Sequence, residues 1–581
     1  MINWKYLTLA CASLSLSASA CAQVYDSLSG NGVVSRSNLS YSTMTSTAAA
    51  LVDYSAYAVP AGAANPDANF QGTLTLTNNS TSGNIKSTKG VVGSYTDPGH
   101  LPNFSYQFVQ DGTHLIPVNR GLLLTTHANW NLILEPGRVW KESTDNGYSR
   151  AAIPFALQQK LNNCTHNGVL SFLFKDGGSI SNVSYQIAGE TCEYFQFNAW
   201  GNLSATYTPA TVSGAAALIT AYEAEVANRM PTKPIAALAT DYPSAGITIA
   251  NIGSQQTAAY MTMYGVSYNG VNYVGGCNTR YGTYPYCEVL DLPSYSTAKS
   301  MVGALGLMRA EQKYSGTQKT LSIGSQVPEC TGTQWTAPTL LNTLDMATGN
   351  YNLAGYESDE GSTAMSNGFF KKATYADRVA FSCSYANKKT PGTTWIYHTT
   401  DTFLLGRALQ NIYRTQENSS TKDFFTDMLV AEIYTPLGMS PTSKTSLRTN
   451  DAVLQPYSGY GLTFHHDDFV KMGNFLYKDA GTIGAVAMLD SVLLSEAMQK
   501  TANLGLTTGT STSNYYHGFW TYNAKASLGC SADRWIPYMS GYGGIGVVML
   551  KNNMVYYYVS DKDEYGFITT VKELHKISSA C

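Results

Sequence analysis

The sequence predicts a mixed α/β (α+β) protein in two regions, a β-rich part up to residue 235 and then a part in which strands alternate with helices. Three observations predict it. Of the 581 residues, 44% are apolar, enough to pack cores and to exclude disorder as an overall description. Short apolar runs divided by Gly, Asn, Ser and Pro dominate as far as Arg229, which is the spacing of a mainly β region. Beyond Thr232, similar runs alternate with stretches of helical periodicity. The charge balance, 36 Lys and Arg less 39 Asp and Glu, is −3 and argues against nucleic acid as a partner, since phosphate binding needs a clustered basic excess. Charged residues are 13% of the chain, about half of the roughly 25% that is usual. A surface solvated by Tyr and neutral polar side chains fits a location outside the cytoplasm.

The elements follow in chain order. Residues 1–22 read as a cleaved secretory signal, with Lys5, an apolar stretch from Tyr6 to Leu16 and the small-residue site Ala20-Cys21-Ala22. Acylation of Cys21 as a lipoprotein is the weaker alternative, because Ala18 stands where a larger aliphatic residue is usual. No later run reaches the ~18 apolar residues of a membrane span. Eight cysteines remain after cleavage, an even number that an oxidising compartment can pair in 105 ways. Sequence proximity suggests Cys164 with Cys192, Cys277 with Cys287, Cys330 with Cys383 and Cys530 with Cys581. No C-x-x-C occurs to suggest zinc.

The β-rich region, 23–235, is read as an accessory domain with strand-like runs at Gly72–Thr77, Gly121–Thr126 and Gly168–Phe174. Its first 60 or so mature residues look loosely structured, and Asn78–Gly83 looks like a loop. A helical pattern from Gly214 to Met230 leads into Pro231-Thr-Lys-Pro234, which reads as a linker. There is no internal repeat.

The region 236–581 carries the chemistry. Ser296-Thr-Ala-Lys299 follows a strand-like Glu288–Leu292 and opens a helix-like Met301–Met308. Positions three apart share a helix face, so the Lys299 amine would lie beside the Ser296 hydroxyl. A serine hydroxyl needs an adjacent base, which a desolvated lysine supplies. Ser-x-x-Lys is a weak signal by itself, and Ser419-Ser-Thr-Lys422 also fits it. That second match lies in a polar stretch, where Ser420 reads as the N-cap of a helix beginning at Asp423.

Further signals follow in order: Thr339–Gly349, Pro391-Gly-Thr-Thr-Trp-Ile-Tyr397, Leu404-Leu-Gly406, Pro436-Leu-Gly-Met439 and Ser540-Gly-Tyr-Gly-Gly544. In this order the region resembles the class C β-lactamase-like serine hydrolases, the superfamily of penicillin-recognising enzymes, DD-peptidases and esterases. The resemblance implies an antiparallel sheet flanked by helices with an inserted helical subdomain. It makes Ser296 the acylated residue, Lys299 its proton partner and Tyr397 the general base or relay. The usual Tyr-x-Asn is here Tyr397-His398-Thr399, so Thr399 replaces the amide. An intact Tyr385-Ala386-Asn387 precedes the Pro-Gly turn and is the lesser candidate. The third motif corresponds to Met539-Ser540-Gly541, with Ser540 keeping a hydroxyl, Gly541 a close backbone approach, and the Tyr542 N–H completing an oxyanion hole with that of Ser296. Met539 replaces a cation that normally holds a substrate carboxylate, which counts against β-lactams and peptide C-termini.

His465-His466-Asp467-Asp468 could suggest metal, but adjacent residues do not share a helix face. It reads as a helix start with Phe469, Met472 and Phe475 as an apolar stripe. His517 reads as a cleft residue. The resulting expectation is a secreted or periplasmic serine hydrolase, without cofactor or metal, acting through an acyl-enzyme on Ser296. Its substrate would be a small-molecule or polymer-derived ester or neutral amide. A β-lactamase or D-amino-acid-specific cell-wall peptidase, and a degraded binding module, are the alternatives.

Overall fold

The computed structural model describes Arg36, residues 39–77 and residues 84–581. The expected signal segment, with Cys11 and Cys21, and the expected loop at 78–83 lie outside the described residues. Among the described residues the chain builds two large sheets, one of twelve strands between Gln71 and Pro209 and one of nine between Thr232 and Ser560. The expected mixed α/β architecture, with an antiparallel sheet flanked by helices, is what the second region has. Its strands Met261–Tyr268, Val555–Ser560, Ile545–Met549, Trp535–Gly541 and Phe519–Asn523 pair antiparallel in that order. Alternation along them sends Met263, Met539, Val547 and Tyr557 into one core with the helices Leu305–Lys313 and His466–Tyr477. Val266, Val548, Tyr556 and Tyr558 point the other way, toward the C-terminal helix Ile568–Ile577.

The first sheet is centred on Ser149–Gln159 and Thr165–Phe174, paired over ten residues. Nearly every residue of both strands is buried on both faces, because the sheet packs two cores. Ala151, Ile153 and Phe155 face the region's own core, while Ala152, Val169 and Leu173 join the core of the second region. Polar side chains in this seam are bonded across it: Gln158 donates to Thr463 at 2.7 Å, and Asn167 to the Asp291 carbonyl at 2.9 Å.

Several local expectations are corrected. Residues 39–59 are packed in part: the turn Tyr54–Tyr57 buries both its tyrosines, and Leu39 and Met44 join the large core, while Thr45–Ala48 are exposed. Pro231–Pro234 does not act as a linker, because Thr232–Pro234 forms a parallel edge strand beside Val271–Gly276. Glu288–Leu292 is a 3-10 turn, Cys287–Val289, followed by a two-residue strand, Leu292–Pro293, against Thr463–Phe464. The helix after Ser419-Ser-Thr-Lys422 is capped by Asp423, not Ser420. Either residue type can cap a helix. The helix Ala215–Ala227 forms where periodicity placed it. All four cysteine pairs are disulfide-bonded as sequence proximity suggested.

One side chain of the first region organises the second. Asn163, fully buried, accepts hydrogen bonds at one oxygen from the Ser294 hydroxyl, the Tyr295 N–H and the Gly461 N–H, each at 2.9 Å, and donates to the Leu462 carbonyl. Replacing it with alanine strands three buried donors at a cost of about 1–3 kcal/mol for an unsatisfied group. Asn163→Ala is expected to lower stability by about 2–4 kcal/mol on that basis, read as a fall in the urea midpoint; an unchanged midpoint would show that the seam tolerates the loss.

Candidate active site

The turn before Ser296 is unusual for its residue type. Tyr295 has φ of 38°, in the left-handed region, where a non-glycine residue pays about 1–2 kcal/mol. The Asn163 bonds to Ser294 and Tyr295 offset that cost and fix the turn. The Cβ of a residue at Gly541 would sit 2.8 Å from the Ser294 carbonyl oxygen, so glycine lets the strand end reach the turn. Behind Ser296 the chain runs in a π-helical segment, Lys299–Ala304, into the helix Leu305–Lys313. The Ser300 hydroxyl donates to the Gly518 carbonyl at 2.6 Å, fastening this segment from the other side.

The spacing argument for Lys299 holds. Its ammonium lies 2.9 Å from the Ser296 hydroxyl, 2.7 Å from the Thr399 hydroxyl and 3.4 Å from the Gly459 carbonyl. It also stands 4.7 Å over the Tyr397 ring. Burial pulls its pKa down to about 8, against the opposing field of Glu360 and Glu357. Tyr397 is pushed the other way. Burial raises its phenol well above 10, the Glu360, Tyr515 and Glu357 fields add to that, and only contact with Ser296 opposes it. At neutral pH Tyr397 therefore keeps its proton, and Lys299 is the group that titrates within reach of neutrality.

Thr399 links the lysine to a carboxylate. Its hydroxyl accepts from Lys299 and donates to Glu360, whose other oxygen receives the Thr399 N–H at 2.8 Å. Glu360 thereby caps the helix Thr399–Gln416, where a carboxylate meets the positive end of the helix dipole. His398, between the two site residues, is buried with Asp359 at 3.0 Å and Asp401 at 3.8 Å. Tyr385 stacks on that imidazole at 4.7 Å, and its hydroxyl donates to the Met365 sulfur.

Met539 is fully buried in the core, on the same strand face as Gly541. Alternation turns Ser540 to the opposite face, and its hydroxyl makes no hydrogen bond with Ser296 or Lys299. Pairing with Phe519–Asn523 stops at Tyr538, so the backbone from Met539 to Tyr542 has no strand partner on that side. Tyr542 is exposed, and its hydroxyl donates to Glu193 of the first region at 2.8 Å.

Other expectations resolve as follows. His517 is not in the cleft; it is fully buried between Asp345 and Glu496, each at 3.0 Å. Its left-handed turn gave no signal in the sequence beyond the following glycine. Lys422 pairs with Glu417 at 2.8 Å, and Ser419 meets Thr421 instead of a base. His466–Tyr477 is a helix with Phe469, Met472 and Phe475 all buried. His465 approaches Glu135 at 3.3 Å and Asp291 at 4.0 Å, with Arg120 3.0 Å from the other Glu135 oxygen. Sequence reasoning missed Glu360, Asn163 and Gly459, all brought to the site by long-range contacts.

No family model matches the chain, and no curated protein does. Among solved structures it is similar to a putative 6-aminohexanoate-dimer hydrolase from Bacillus anthracis, at 17% identity over 55% of this chain and 77% of that one, with a TM-score of 0.40. A putative beta-lactamase from Bacteroides dorei DSM 17855 is 17% identical over 55% of this chain and 94% of that one, with a TM-score of 0.40. A class C beta-lactamase is 15% identical over 55% and 90%, with a TM-score of 0.39. Their names fall in the class that the motifs resemble; at these identities and TM-scores they assign no activity to this chain.

The His398 environment has a pH signature. Burial opposes its charge, but the Asp359 and Asp401 carboxylates outweigh that and raise its pKa to about 9. Its stabilising charge is fully present below the unfolded value near 6.5 and is lost as pH rises through about 9. Thermal midpoints are expected to fall between these pH values more steeply in the parent than in His398→Asn; parallel curves would remove His398 as the source.

Proposed function

We propose that the protein is a secreted or periplasmic serine hydrolase that works through an acyl-enzyme on Ser296, with an ester or neutral amide as substrate. The observation that carries the reading is a buried lysine, depressed to about 8, within 2.9 Å of a half-buried serine hydroxyl. Four disulfides fit an oxidising compartment, and among the described residues no helix is long and apolar enough to cross a membrane.

The Ser296 oxygen attacks the carbonyl carbon while its proton passes to neutral Lys299. The developing oxyanion is held by the N–H groups of Ser296 and Tyr542. Lys299 returns the proton through Tyr397 to the leaving oxygen or nitrogen, and the carbonyl to leaving-group bond breaks. Water then attacks the acyl ester, gives a proton back to Ser296 by the same relay and releases the acid. Thr399 and the Gly459 carbonyl orient the lysine, and Gly541 admits the strand to the Ser294 turn. A second hydroxyl role for Ser540 has the least support, given the face it occupies. Met539 supplies no charge for a substrate carboxylate, which disfavours β-lactams and peptide C-termini.

A fluorophosphonate probe followed by peptide mapping is expected to label Ser296, with a rate that rises with pH to a midpoint near about 8 as Lys299 loses its proton. Lys299→Ala is expected to cut labelling and short-chain nitrophenyl ester hydrolysis by about 10²–10⁴-fold. Labelling at another serine would overturn the assignment, and faster turnover of nitrocefin than of the esters would favour the β-lactamase alternative.

A further inference from the structure

At the seam between the two sheets lies a second cluster of ionisable side chains, one that the proposed reaction does not use. The Nε2 atom of His465 stands 3.3 Å from Glu135 Oε1 and 4.0 Å from Asp291 Oδ1, and the three ligand atoms offered by these residues all lie within 4.8 Å of one another. All three residues are buried, with exposures of 0% for Glu135, 1% for Asp291 and 3% for His465. None of the three converging atoms has a hydrogen-bond partner. The imidazole and the Glu135 carboxylate are close, but they are not aligned as donor and acceptor.

The backbone fixes each member of the cluster. Leu292–Pro293 pairs antiparallel with Thr463–Phe464, Leu292 opposite Phe464, and the same register sets Asp291 opposite His465. Asn167 clamps the Asp291 backbone, accepting from its N–H at 3.1 Å and donating to its carbonyl at 2.9 Å. The His465 N–H donates to Asp468 at 2.9 Å, and the Glu135 N–H to the Pro154 carbonyl at 3.0 Å. Arg120, the neighbouring cation, is engaged elsewhere: it meets the other Glu135 oxygen and Glu225, each at 3.0 Å. His465 also lines a pocket of about 10 Å³ with Glu225, Arg229 and Ser440, which gives the cluster an approach through the imidazole.

Buried charges that persist in folded proteins are paired or coordinate metals. Ligand atoms about 2.0–2.2 Å from a four-coordinate ion stand roughly 3.3–3.6 Å from one another. The separations of 3.3 and 4.0 Å bracket that spacing, so small side-chain rotations bring the three atoms onto one ion. An imidazole nitrogen among carboxylate oxygens suits a divalent transition ion, whereas Ca²⁺ and Mg²⁺ take oxygen ligands. We propose that Glu135, Asp291 and His465 form a binding site for a divalent transition-metal ion that ties the β-rich region to the second region. The run His465-His466-Asp467-Asp468 thus contributes one ligand, and the other two come from distant parts of the chain. Because Glu135 belongs to one region and the remaining ligands to the other, the binding energy of the ion holds the seam together.

The test strips the full chain with a chelator and follows its thermal midpoint as Zn²⁺, Mn²⁺ or Ca²⁺ is returned, with bound metal counted by mass spectrometry. About one ion per chain is expected, with a midpoint that falls on stripping and recovers with Zn²⁺ or Mn²⁺ but not with Ca²⁺. Asp291→Asn and Glu135→Gln keep the shape of the cluster and are expected to weaken uptake by more than the roughly 10–100-fold that loss of an outer-shell partner costs. The measurements on the parent chain stand by themselves if either variant fails to fold. A parent chain without stoichiometric metal whose midpoint no ion moves would overturn the inference. So would a response to Ca²⁺ equal to that of Zn²⁺, or uptake that both variants retain.

Discussion

Everything at the site depends on keeping one ammonium group, that of Lys299, inside the protein. A fully buried charge is expensive unless it is hydrogen-bonded, and Lys299 has three oxygen partners from three separated segments: Ser296, Thr399 and Gly459. The compensation is deliberately incomplete in its effect. Two carboxylates act on the amine but stop short of a contact ion pair, so burial still wins and the proton is held loosely. A direct carboxylate partner would have fixed the lysine in its charged form. Thr399 stands between Lys299 and Glu360, passing one hydrogen bond in each direction, and this separation sets the balance.

The same segment solves several problems at once. Residues 352–362 bring Asp359 to His398 and Glu360 to the helix end at Thr399. The Asn352 N–H in turn holds Asp359 at 2.7 Å. The segment is thus tied to the second motif at two consecutive positions, and the rings of Trp395 and Trp520 give Tyr356 a surface to rest on.

Much of this was legible in the sequence. The three-residue spacing of Ser296 and Lys299 is a local property of a helix, so it survived the finding that the segment winds as a π-helix. Tyr397 was found because the order of short signals identified its turn, and the cysteine pairs were found because partners were sequence neighbours. What could not be read shares one trait. Asn163 lies more than 130 residues from the turn it shapes, and Glu360 lies 39 from Thr399; no periodicity or spacing encodes such contacts. His517 misled for a related reason, since an aromatic-rich run around a histidine looks the same whether it faces a cleft or, as here, two buried carboxylates. Pro231–Pro234 misled because proline marks both linkers and edge strands, and only the partner strand decides.

The bracket formed by Asn163 also has a bearing on the order of events during synthesis. The oxygen that shapes the Ser294–Tyr295 turn belongs to a strand pair completed more than a hundred residues before that turn is made. Chains emerge from the N-terminus, and early domains can fold while later ones are still being added. The strand pair that frames Asn163 therefore precedes, in the order of synthesis, the turn it shapes.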